Sequence, residues 1–377
     1  MKVLSINLTF LGILLSSPAL LFRLYNIAKH KFDQADSTAK VASYPTYSNK
    51  DFSIELQNEF SKLTTRYKSY LGWRREKVDF NHINISGPYH ARKSTGEAID
   101  NSVWFFGSST MWGSGASDSQ TIPSHFNSIT NLPVYNFGET AWNSRQSLNQ
   151  LINLLGDNHQ PSAVIFYDGV TDVAIQCRSE YQSLPIHGRE LEVQNSIKSF
   201  RTIVQNKFLS FILAPYIAFA KRYDINLTVG NAVNSKLFDC DTNKAKAQSI
   251  AEHLVNNWRT AFAISRSNGF EFYGILQPTL FTTTTNTEYL VSNSKKHSEE
   301  VGWHYESQYN AVYPLILKEI KKKCDLDENF CASLINGTDW LDGTNNIFND
   351  VNHTNSLGNK VIAENIAPLL KNSMHSP

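Results

Sequence analysis

From about residue 100 onward, short apolar runs alternate with stretches of helical spacing, and this alternation limits the chain to few folds. The apolar runs are 102–106 (SVWFF), 133–137 (PVYNF), 163–167 (AVIFY) and 270–276 (FEFYGIL). Helical stretches follow near 122–129, over 144–155 and 359–370, and 251–267 precedes the fourth run. Runs this short and this apolar read as buried strands. Strands alternating with helices predict an α/β fold, a mostly parallel sheet with helices on both faces. In such sheets ligands bind beyond the carboxyl ends of the strands, so a functional site is expected just after these runs.

The residues found there are small, polar or ionisable. The first run leads into Gly107-Ser108-Ser109-Thr110, with Gly113 and Gly115 close behind. The second leads into Gly138, and the third into Asp168-Gly169-Val170-Thr171-Asp172. Asp350-Val351-Asn352-His353 lies just ahead of the final helix. Acyl transfer is the chemistry such residues support. A serine hydroxyl, here Ser109, needs an adjacent base to take its proton, and His353 titrates in the right range. Asp350, three residues earlier, is suited to orient the imidazole and stabilise its charged form. The tetrahedral intermediate needs donors aimed at its oxyanion. The expected donors are the backbone N–H groups of Ser109 and Gly138 and a side chain after the third strand.

These four segments, in this order, resemble the blocks of the SGNH (GDSL-type) hydrolase superfamily, which contribute Ser, Gly, Asn and His. Gly107-Ser108-Ser109 is similar to the Gly-Asp-Ser block, with serine in place of aspartate. Gly138 matches the second block, Gly169-Val170-Thr171-Asp172 the third, and Asp350-Val351-Asn352-His353 the fourth. The resemblance spans about residues 98–372. It implies a flavodoxin-like three-layer α/β/α sandwich and a serine esterase working through an acyl-Ser109 intermediate, with no metal and no organic cofactor. The implied substrate is an O-acyl ester, above all O-acetyl, on an extracellular carbohydrate or a small lipid. An O-acetyltransferase with the same triad, and a silent polysaccharide-binding or assembly module of the cell envelope, are the alternatives. One position departs from the pattern: Thr171 stands where the family supplies an Asn donor to the oxyanion hole. A threonine hydroxyl donates one hydrogen bond over a shorter reach. Asn136 and Asn143, near the second block, are candidate replacements.

The rest of the chain divides around this domain. Residues 3–22 are predominantly apolar and uncharged, with Lys2 before them and Arg23, Lys29 and Lys31 after. A helix over this stretch would span roughly the 30 Å of a hydrocarbon core. An uncleaved signal anchor, a cleaved signal peptide and a buried core helix all suit it; no Ala-x-Ala site follows, which favours the anchor. Residues 1–32 are therefore expected to anchor the chain in a membrane, with the catalytic domain on the extracytoplasmic side. Residues 33–97 are expected to form a linker and extension, with helical spacing over 52–71 and an extended stretch over 72–87. Residues 98–377 form the hydrolase-like domain, with an insertion near 178–244 that lacks the βα alternation. The formal net charge of +1 gives no electrostatic case for nucleic acid as a partner. Four cysteines, none in a Cys-x-x-Cys pair, suggest two disulfides in an exported chain, Cys177 with Cys240 and Cys324 with Cys331. The run 318–323 (KEIKKK) reads as a solvated helix face, and Gln277-Pro278 as a segment lining the pocket or a plain turn. Oligomeric state is not encoded in any of these features.

Overall fold

A computed structural model describes residues 46, 49–94, 99–181, 183–195, 197, 238–286, 288–291 and 305–371. The expected anchor at 1–32 and most of the insertion lie outside them. Two compact units divide between Lys62 and Leu63. The first contains helix α1 (Lys50–Ser61), capped by the Asn49 side chain, which accepts from the N–H groups of Asp51 and Phe52. The helix expected over 52–71 therefore stops early. Residues 65–68 (TRYK) pair instead as strand β1 (Thr65–Lys68) with β2 (Gly72–Arg75), and a β-branched and an aromatic residue favour that outcome. Strands β3 (Val78–Asp79) and β4 (Asn84–Ile85) form a second small antiparallel pair.

The main sheet holds five strands: β5 (Val103–Gly107), β6 (Val134–Asn136), β7 (Ala163–Asp168), β8 (Glu271–Leu276) and β9 (Leu334–Asn336). Their spatial order is β6-β5-β7-β8-β9, and all neighbours run parallel. This is the flavodoxin-like order, in which the second strand flanks the first on one side and the third flanks it on the other. Every residue of β5 and β7 is buried, as expected of central strands covered on both faces. One face carries Trp104, Phe106, Val164, Phe166 and Phe272 into a core shared with α4 (Ser144–Gly156), α6 (Lys244–Asn268) and α8 (Glu306–Cys324). On the other, Phe105 meets Phe126 of α3 (Ile122–Thr130) at 5.2 Å between ring centroids, and α3 packs with α10 (Ser356–Lys371). The three layers are thus present.

Several details differ from expectation. The unit that carries the main sheet begins at Leu63 and includes β1–β4. Strand β9, with only three residues, was not anticipated, and helix α8 was expected only over 318–323, Pro314 interrupting the helical signal ahead of that run. The charge run at 318–323 is only partly solvated, since Glu319 is buried and paired with Lys322 and Lys323 at 3.3 and 3.4 Å. Both expected disulfides form, Cys177–Cys240 at the end of α5 (Val170–Gln176) and Cys324–Cys331 between α8 and α9 (Glu328–Ala332).

A cross-link stabilises chiefly by restricting the unfolded chain, more so for a longer loop. Replacing Cys177 and Cys240 together by Ser is therefore expected to lower unfolding free energy by about 2–4 kcal/mol. The same change at Cys324 and Cys331, separated by only 7 residues, is expected to have the smaller effect. Urea denaturation of the two double variants beside the parent measures the difference.

Candidate active site

The carboxyl ends of β5, β6 and β7 converge where the strand order reverses, and the expected blocks follow directly. Ser109 opens α2 (Ser109–Trp112), a single turn that starts two residues beyond β5. Its hydroxyl lies 2.6 Å from His353 Nε2, and His353 Nδ1 lies 2.6 Å from Asp350 Oδ2. The Asp350 Oδ1 atom accepts the N–H groups of Asn352 and His353, both at 2.8 Å. Residues 244 positions apart in sequence thus form one continuous hydrogen-bonded line. All three side chains are half-buried, reachable from solvent yet shielded by their neighbours.

The electrostatics follow from this pairing. Burial alone pushes the His353 imidazole down, but the Asp350 carboxylate beside it outweighs that and raises its pKa above 6.5. Burial likewise pushes Asp350 up, yet the His353 charge and the hydrogen bonds it accepts hold it below the ordinary carboxylate value. The imidazole is therefore a stronger base than a free one, with its Nδ1 tied to a carboxylate and its Nε2 directed at Ser109.

The oxyanion donors need one correction. The Gly138 N–H donates to its neighbour Asn136 Oδ1 at 3.1 Å, so it is not the free donor expected. Glycine is required at 138 for close approach instead, because a Cβ there would sit 2.7 Å from Trp112 N. Farther along the same loop, the amides of Glu139, Thr140 and Trp142 are bonded to Gly107 O, Glu139 Oε1 and Glu139 O. Among the described residues, only the Ala141 N–H in that stretch has no internal partner. Ala141 is exposed and holds a left-handed φ of 59°, uncommon outside glycine and a kind of strain that recurs at functional sites. The Ser109 N–H, at the first position of α2, also makes no hydrogen bond among the described residues. Thr171 lies in the first turn of α5, 6% exposed, its hydroxyl bonded to no other described residue.

Neither asparagine considered as a replacement donor is available. Asn136 Nδ2 donates to the carbonyls of Met111 and Trp112 at 3.0 and 3.2 Å. Asn143 caps α4, its Oδ1 accepting from the N–H groups of Arg145 and Gln146, while its Nδ2 is sealed from solvent without a partner. Behind Thr171, Asp172 accepts the Ser144 hydroxyl at 2.6 Å, and Asp168 accepts Trp258 Nε1 at 3.0 Å. Both carboxylates are buried and brace the loop. Gln277 is fully buried, and its Nε2 reaches the Thr110 hydroxyl at 3.4 Å. Among the described residues no cluster of His, Cys, Asp and Glu is arranged to hold a metal ion.

No protein-family model matches the sequence, and no curated protein matches it. Among solved structures the chain is similar to a putative lipolytic protein of G-D-S-L family from Desulfitobacterium hafniense DCB-2. That match has 10% identity and a TM-score of 0.34 over 72% of this chain and 100% of the other. A carbohydrate acetylesterase family member from Sinorhizobium meliloti gives 12% identity and 0.34 over 73% and 100%. LAE5, an alpha/beta hydrolase enzyme from the metagenome of Lake Arreo, Spain, gives 12% and 0.31 over 74% and 96%. Superpositions this loose decide nothing about chemistry, which has to come from the side chains themselves.

The His353 titration is directly measurable. Followed by NMR, its midpoint is expected above 6.5, and Asp350→Asn is expected to lower it, because the charge that favours the imidazolium is gone. Since a base acts only when neutral, any activity that relies on His353 falls as pH drops through that raised midpoint.

Proposed function

We propose that this chain is a serine esterase of the SGNH type, with Ser109 as nucleophile, His353 as general base and Asp350 as its orienting carboxylate. The observation that carries the reading is the unbroken line Asp350–His353–Ser109, with both contacts at 2.6 Å. An ester carbonyl is attacked by Ser109 Oγ while His353 Nε2 takes the hydroxyl proton. The tetrahedral oxyanion is met by the N–H of Ser109, the N–H of Ala141 and the hydroxyl of Thr171. Collapse of the intermediate expels the alcohol, which takes its proton from His353 and leaves an acyl-Ser109 ester. Water, deprotonated by the same imidazole, then releases the carboxylic acid and restores the serine. None of these steps needs a group beyond the chain's own residues and water.

The substrate belongs to the same proposal: an O-acyl ester, chiefly O-acetyl, on an extracellular carbohydrate or small lipid. Export to an oxidising compartment, with residues 3–22 as the membrane tether, is supported by the two disulfides and by that uncharged apolar run.

Hydrolysis of p-nitrophenyl acetate by the purified chain is expected, and Ser109→Ala is expected to abolish it. A rate that survives this change would falsify the assignment of Ser109. Thr171→Val removes the hydroxyl while keeping the shape, and is expected to lower kcat by about 10- to 100-fold, somewhat less than is typical for loss of an oxyanion donor. An unchanged kcat takes Thr171 out of the hole. Acetate release that rises only when a sugar acceptor is supplied would redirect the same triad to transfer.

A further inference from the structure

Buried guanidinium groups lie under the loops that follow β5 and β6, and they come from residues 74–92, ahead of the main sheet. Arg92 is 1% exposed. Its backbone forms a bridge with Asn136 of β6, its N–H donating to Asn136 O at 3.2 Å. Its side chain runs beneath the end of α2. Nη1 donates to Trp112 O at 3.0 Å and to Gly113 O at 2.7 Å, and Nη2 donates to Ala116 O at 2.6 Å. Nε is tied to Asp118 Oδ1 at 2.8 Å, and the guanidinium sits 4.3 Å from the centre of the Trp112 ring. Arg74 treats the neighbouring loop in the same way, donating to Phe137 O at 2.9 Å and Gly138 O at 3.1 Å.

The need for such a clamp follows from the length of α2. One turn of helix cannot stabilise itself, and its last carbonyls have no intrahelical partners. A cation at the carboxyl end satisfies those carbonyls and opposes the helix dipole favourably. Gly113, just past the helix at φ 97°, leaves the room: a Cβ there would lie 2.9 Å from Arg92 Nη1. The other end of the same turn carries Ser109, whose hydroxyl must stay within reach of His353.

We infer that Arg92 is a positioning residue for the proposed reaction, a guanidinium clamp that sets the Ser109–His353 contact by gripping the far end of the nucleophile's helix. The inference rests on the esterase reading. Arg92 touches no reacting atom and acts entirely through α2. Lysine cannot replace it, because a compact ammonium with three donors does not reproduce a planar fork that reaches three carbonyls and a carboxylate together. A displacement of about 1 Å at a reacting centre can slow chemistry about 100-fold while leaving substrate binding largely intact.

The test uses the full chain as parent, Arg92→Lys, Arg92→Ala and Ile316→Ala. Ile316 is a fully buried core residue on α8, so its truncation loses stability without touching α2. For each protein the measurements are kcat and KM for p-nitrophenyl acetate, the rate of fluorophosphonate labelling at Ser109, and the urea midpoint. Arg92→Lys is expected to lower kcat and the labelling rate together by about 10- to 100-fold, with KM changed by no more than about threefold. Arg92→Ala is expected to fall further, and Ile316→Ala to keep its kcat despite lower stability. Should Arg92→Ala not fold, Arg92→Lys decides. Unchanged labelling and kcat in the folded Arg92 variants overturn the inference, as does an equal loss in Ile316→Ala. A parent that fails to label at Ser109 overturns the esterase reading and this inference with it, an outcome distinct from labelling that ignores Arg92.

Discussion

Ser109 sits on a single helical turn, and a turn that short takes its position from whatever holds its two ends. Its amino end issues from β5, buried along its whole length between β6 and β7. Its carboxyl end is gathered from two directions. The Asn136 amide takes the Met111 and Trp112 carbonyls, and Arg92 takes those of Trp112, Gly113 and Ala116. His353 has no helix or strand of its own and depends on loop contacts. Asn349 N donates to His353 O at 2.7 Å, Leu280 N donates to Val351 O at 2.9 Å, and the Tyr289 hydroxyl donates to Phe348 O at 2.7 Å. The 2.6 Å contact between Ser109 and His353 is the meeting point of these separate anchorages.

How much of this was legible in the sequence depends on how local each cause is. Central strands covered on both faces must be apolar throughout, so the runs SVWFF and AVIFY were readable as strands, and the candidate blocks followed from where such strands end. Asp350 and His353 were legible because their three-residue spacing lets one carboxylate oxygen bond the imidazole while the other accepts the intervening backbone N–H groups. The arginines were not. Arg74, Arg75 and Arg92 look like surface residues in an extension, and arginine is seldom fully buried unless paired. Their burial is a tertiary event: Arg74 is satisfied by carbonyls 63 and 64 positions away, and Arg75 by Glu139, which is itself buried. Gly138 failed for a related reason. Whether its N–H is free depends on the Asn136 rotamer, which no spacing reveals.

In the proposed reaction, Thr171 and the main-chain amides near it share the task of meeting the oxyanion. A threonine hydroxyl donates a single hydrogen bond, so in that reading the main-chain donors matter more. On the loop after β6, backbone and side-chain acceptors among the described residues take every amide from Gly138 to Trp142 but that of Ala141, held at φ 59°. The Glu139 carboxylate keeps that loop in shape, accepting from Thr140 N and from Arg75 N and Nη1, all at 2.8 Å. Behind Thr171, burial and the neighbouring Asp172 push the Asp168 carboxyl well above its ordinary range, towards the neutral form.

Helix α5 connects Thr171 to one of the two disulfides. It begins beside Gly169, carries Thr171 in its first turn, and ends at Cys177, whose disulfide reaches Cys240. Non-covalent contacts already hold the same junction. Asp239 N donates to Cys177 O at 3.0 Å, and Lys246 Nζ donates to Arg178 O at 2.6 Å and to Asp239 Oδ1 at 2.8 Å. The disulfide is therefore not needed to place Thr171 once the chain has folded. Its main effect falls on the unfolded ensemble, where it closes the long segment between Cys177 and Cys240 and removes conformations that would otherwise compete with folding.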